Sequence, residues 1–152
     1  MELSIMKLQK VLLAAAIALI LFITAACSIF PGYSRREKAY YRNSDNYISA
    51  QATVKSMLKR TDYPYIDLTL IDLSPDCFSG NTFRIHAKSV EILENNGFFE
   101  KVSPGDRIEI ITAPRYFADG WSMPIVSLSV NGECLLPFED GFANWIDWMS
   151  NR

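Results

Sequence analysis

Histidine occurs once in this chain, as His86, and cysteine three times, as Cys27, Cys77 and Cys134. A protein metal centre needs several such ligands converging, and no Cys/His cluster here stands at metal-ligand spacing. No metal or other cofactor is therefore expected. His86 falls at an outward strand position, where a lone histidine is ordinarily a surface residue. No serine lies in a nucleophile elbow, and no glycine-rich loop is set to cradle a phosphate. Asp67, Asp72 and Asp76 occupy strand and turn positions without the acidic loop pattern of a calcium site. No catalytic residue is assigned, and the chain is not read as an enzyme. Positive charge is scarce in the larger part: residues 61–152 carry six Lys/Arg against fourteen Asp/Glu, a net of −8. That balance argues against nucleic acid as a partner.

What is present begins with an apolar leader. Lys7 and Lys10 precede sixteen uncharged residues, 11–26, and Cys27 follows. A basic stretch before an apolar run is the form of an export signal. Sixteen helical residues rise about 24 Å, short of the ~30 Å hydrocarbon core. Ser28, Ile29 and Phe30 would extend the run to roughly spanning length. The end of the leader, Thr24-Ala25-Ala26-Cys27, resembles the lipobox of bacterial lipoproteins. Ala25, Ala26 and Cys27 match that pattern, and Thr24 departs from it because an aliphatic residue is usual there. The resemblance implies removal of residues 1–26 and lipidation of Cys27 as the new N-terminus. It places the protein on the extracytoplasmic face of the cell membrane. The alternative is an uncleaved single-pass helix. Arg35, Arg36, Lys38 and Arg42 then bear on topology, since the more basic flank prefers the cytoplasm.

Charge divides the remainder. Residues 27–60 hold seven Lys/Arg and two acids, a net of +5. Residues 27–46 have no apolar period and read as a polar, basic tether. Its cations can meet anionic head groups, and Tyr33, Tyr40 and Tyr41 can sit at head-group level.

A single β-rich domain is expected over residues 47–152. Residues 49–59, 65–73 and 82–87 alternate in the manner of half-buried strands. The inward sets are Ala52, Val54 and Leu58, then Ile66, Leu68 and Leu70, then Phe83, Ile85 and Ala87. The outward set of the second and third strands is Asp67, Thr69, Arg84 and His86. Residues 89–99 change to a helical period, with Ser89 as cap, Val90 and Leu93 buried, and Gly97 as a left-handed stop. Phe98 and Phe99 return to the core. A turn at 103–106 leads to a strand at 107–113. A loop at 114–124 precedes a strand at 125–130, Asn131-Gly132 signals a tight hairpin, and 133–138 pairs back. Residues 140–149 form a short helix with Phe142, Trp145, Ile146 and Met149 on one face.

The fold class is mainly β (α+β), and the element order resembles the OB-fold. That implies a five- to six-stranded barrel with one helix between strands three and four and a short C-terminal helix. An SH3-like barrel shares the short strands. The OB resemblance also implies a ligand face on strands two and three, flanked by the first hairpin loop and the loop between strands four and five. Those positions hold Arg60, Tyr63, Arg84, His86, Arg115, Tyr116 and Trp121. Aromatic side chains with a few charges suit sugar rings, peptides or bases. The same loop aromatics also suit a second role, closing the end of the barrel. Cys77 and Cys134, an even pair in an exported domain, are expected as a disulfide. The functional expectation is a membrane-tethered, non-catalytic binding or adaptor module for a glycan, peptide or envelope protein. A structural accessory subunit of an envelope complex is the alternative.

Overall fold

The computed structural model describes residues 35–117 and 120–151. The leader, Cys27 and Tyr33 lie outside the described residues. Among those that are described, no helix is long and apolar enough to cross a membrane. The chain divides into two compact units, Met1–Glu37 and Lys38–Arg152. Residues 35–42 are helical; the part belonging to the second unit, 38–42, is called α1.

The second unit is a closed β-barrel. Its strands are β1 (Ile48–Lys59), β2 (Tyr65–Ser74), β3 (Thr82–His86), β4 (Arg107–Thr112), β5 (Met123–Val130) and β6 (Glu133–Leu136). They are ordered β3-β2-β1-β4-β5-β6, and a parallel β3–β5 pairing, Phe83 with Met123, closes the ring. Five strands form the barrel and β6 extends it outside β5. Helices α2 (Lys88–Asn95) and α3 (Phe98–Lys101) fall between β3 and β4, and α4 (Phe138–Ser150) ends the domain. This is the expected small OB-like barrel.

Alternation decides which side chains fill it. Ile66, Leu68 and Leu70 from β2 and Phe83 and Ile85 from β3 are fully buried, facing Ala52 and Val54 of β1 and Ile108 and Ile110 of β4. The alternation of β1 breaks at a register shift between Val54 and Ser56. An extra residue at a bulge moves the following side chains to the other face. Leu58, expected inside, is consequently 54% exposed.

The turn chemistry follows the residues. Asn131 and Gly132 take φ of 51° and 79°, as a two-residue primed hairpin requires. Gly97 stands between α2 and α3 at φ 74°. Other local expectations fail. Ala87, not Ser89, is the N-cap of α2, and no side chain caps it. Ser89 is buried and its hydroxyl accepts from Asn144 Nδ2 of α4 at 3.4 Å. Phe98 enters the core, whereas Phe99 stays 38% exposed.

A second apolar layer lies outside the barrel. It joins Tyr41 of α1, Tyr47, Ala113, Val126 of β5, and Trp145 and Met149 of α4. The residues expected to form a solvated tether contribute to it. Tyr41 is 1% exposed, its hydroxyl donates to Arg115 O at 2.9 Å, and its ring meets Trp145 edge-on at 5.7 Å. Tyr47 donates to Tyr41 O at 2.8 Å, and burial raises its phenol pKa. The second compact unit begins at Lys38. The polar and basic residues of this segment hid two large aromatic anchors.

Candidate functional site

Antiparallel pairing sets the two ends of the barrel. β1 pairs antiparallel with β2 and with β4, and β4 with β5. The start of β1, the β2–β3 turn and the β4–β5 loop therefore share one end. The β1–β2 turn and the Asn131-Gly132 hairpin lie at the other. Between them runs the outer face of β2 and β3.

On that face Tyr65 pairs with His86, Asp67 with Arg84, and Thr69 with Thr82. The Asp67 carboxylate accepts two bonds from the Arg84 guanidinium, from Nε at 2.6 Å and from Nη2 at 3.2 Å. Arg60, arriving from the β1–β2 turn, donates through Nε at 3.1 Å. Burial alone would raise the Asp67 pKa; the bonds and charges of Arg84 and Arg60 outweigh it and hold the carboxyl below its usual range. The Arg84 guanidinium also lies 5.0 Å from the Tyr65 ring centroid. Tyr63 stacks nearly parallel on Tyr65, at 5.8 Å and 13°, and is itself 60% exposed. Arg60, Tyr63 and Arg84 are thus brought together around Asp67 and Tyr65.

Of the other expected ligand residues, His86 meets the Tyr65 ring edge-on at 5.1 Å but is covered, and the rest lie apart. His86 is 5% exposed, covered by Trp148 at 4.2 Å and Trp145 at 4.7 Å. The alternation of β3 correctly turns His86 outward, but α4 packs over that face, so it is not a surface residue. Tyr116 joins the barrel core cluster and lies over Gly80 of the β2–β3 turn, where a Cβ would fall 1.6 Å from its hydroxyl. It closes the barrel end. Arg115 lies 4.7 Å over the Tyr40 ring, on the α1 side. Trp121 is 77% exposed and stands two residues before Met123, whose partner Phe83 is the second residue of β3.

Cys77 and Cys134 are separate, exposed thiols. Strand direction explains why no bond joins them. Cys77 lies in the β2–β3 turn at one barrel end. Cys134 follows the Asn131-Gly132 hairpin at the other, paired with Ser129. A disulfide needs Cα atoms within about 7 Å.

Sequence reasoning missed one concavity. A groove of about 390 Å³ crosses the outer face of β1, β4 and β5, over Ser49, Gln51, Glu109, Ser127 and Ser129. Two of its polar groups are joined, Gln51 donating to Glu109 at 3.3 Å, and Gln51 also accepts from Arg107 at 2.7 Å. Among the described residues no group of three or more His, Cys, Asp or Glu could hold a metal ion.

Fold and face together define an OB-like barrel carrying an arginine–carboxylate–aromatic surface on its second and third strands. Compared with known proteins, the chain matches no family model, and no curated protein or solved structure matches it significantly.

Proposed function

We propose that this protein is a lipid-anchored extracytoplasmic binding module, with no catalytic role, whose ligand lies on the β2–β3 face. The observation that carries the ligand reading is Tyr63. It is an exposed ring stacked on a buried one, Tyr65, over which lies the Arg84 guanidinium that Asp67 orders together with Arg60. A rigid exposed aromatic offers contact area at low entropic cost. Beside it, Arg60 and Arg84 supply directed donors. That combination suits a pyranose ring or a short peptide bearing a carboxylate.

The lipid anchor rests on the lipobox-like Thr24-Ala25-Ala26-Cys27 and the apolar run before it. The separate thiols of Cys77 and Cys134 add nothing to the case for export. Metabolic lipid labelling of wild type against Cys27→Ala tests the anchor; an unlabelled, unprocessed wild-type chain sinks it.

The ligand reading is tested by NMR titration with N-acetylglucosamine oligomers and with cell-wall stem peptides. Shifts centred on Arg60, Tyr63 and Arg84, abolished by Tyr63→Ala at unchanged Tm, are expected. If neither ligand class moves these signals, the glycan and peptide reading fails.

A further inference from the structure

Helix α1 is held to the domain on one side of the β4–β5 loop. Tyr41 donates to Arg115 O, Tyr40 lies under the Arg115 guanidinium, and Tyr41 meets Phe117 edge-on at 5.3 Å. Phe117 N donates to Ser122 O at 3.0 Å, and Gly120 N to Phe117 O at 2.7 Å. Trp121, between the two residues so bonded, is 77% exposed. Two observations bear on what this surface meets. The chain from the leader enters the domain here, and only ten residues separate Cys27 from Lys38. Ten residues reach at most about 36 Å. Across residues 38–46 and 113–122, Lys38, Arg42 and Arg115 stand against Asp45 and Asp119, a net of +1.

We propose that this surface docks on the phospholipid interface, with Trp121 at acyl-glycerol depth and Arg42 and Arg115 against head-group phosphates. Interfacial tryptophan and nearby cations are the groups a bilayer surface retains. The inference rests on the lipid-anchor reading and deepens it. α1 is not a slack tether; its tyrosines fix which end of the barrel faces the bilayer. The β1–β2 turn with Tyr63, 60% exposed, leaves from the opposite end.

The test uses the full-length chain in phosphatidylcholine vesicles, with and without bromine on the acyl chains. Wild type is expected to lose Trp121 emission to brominated lipid. Trp121→Phe is expected to lose none, because Trp145 is buried and Trp148 half-buried inside the domain. Tyr63→Trp placed in the Trp121→Phe background is expected to stay unquenched. Co-flotation with equal quenching of wild type and Trp121→Phe overturns the docking while the anchor stands. Quenching through Tyr63→Trp overturns the orientation. A chain that does not float with phosphatidylcholine sinks the anchor. Flotation of that chain on phosphatidylglycerol vesicles, weakened about five-fold by each of Arg42→Gln and Arg115→Gln, retains the docking. Flotation with neither lipid sinks both.

Discussion

Gly141 of α4 lies so close to β5 that a Cβ there would fall 2.0 Å from the carbonyl oxygen of Val126. A glycine inside a helix ordinarily lowers its stability by about 1 kcal/mol relative to alanine. Here it permits the contact that seats α4 on the barrel and covers His86. The sign of the usual substitution reverses: Gly141→Ala is expected to destabilise by about 1–3 kcal/mol. Thermal unfolding checks this. A raised Tm would show that α4 can lift without cost.

Tyr41 anchors α1 through a buried ring and one hydrogen bond to Arg115 O. Tyr41→Phe removes the bond alone and is expected to cost about 1 kcal/mol. Tyr41→Ala removes the ring and is expected to cost about 3–5 kcal/mol. Urea unfolding of the two variants separates bond from packing. Equal midpoints for both and wild type would mean that α1 is not part of the cooperative unit.

Asp67 carries a pH dependence of defined sign. Its carboxyl is depressed in the folded state. The stabilisation it provides is therefore full above the unfolded carboxylate value, about 3.9, and is lost as pH falls through the folded value. Asp67→Asn is expected to flatten this acid limb and to cost about 1–3 kcal/mol at neutral pH, because Arg84 loses its partner. Urea midpoints measured across that pH window decide; parallel acid limbs in both proteins would contradict it.

Gly80 and Tyr116 are expected to behave as one unit. Gly80→Ala displaces the Tyr116 ring from its seat. In a Tyr116→Ala background the same change meets no ring, so its cost falls. The double-mutant cycle is expected to show coupling of about 0.5–3 kcal/mol. Additive effects would place Tyr116 elsewhere, and with it the closure of the barrel end.

The thiols supply a control. Cys77→Ser and Cys134→Ser, singly or together, are expected to leave stability within about 0.5 kcal/mol under oxidising conditions. Ellman titration of the folded domain of Cys27→Ala is expected to count two reactive thiols. A reductant-sensitive Tm would reveal a bond between them.

Local order was legible in the residues alone. Period-two alternation placed Ile66, Leu68, Leu70, Phe83 and Ile85 inside, and Asn131-Gly132 marked its hairpin, because both signals act within a few residues. Strand order and the helix between β3 and β4 were legible for the same reason, and with them the OB-like barrel. Arg60, Tyr63 and Arg84 were legible as a site only through that topology. What the tertiary structure decided was the second layer. His86 points outward in its strand, as alternation says, yet α4 covers it. Tyr40 and Tyr41 sit in a charged stretch, yet they anchor α1. Cys77 and Cys134 form an even pair, yet strand direction sends them to opposite ends. A side chain's face is set by its own backbone, whereas what lies over that face depends on an element many residues away.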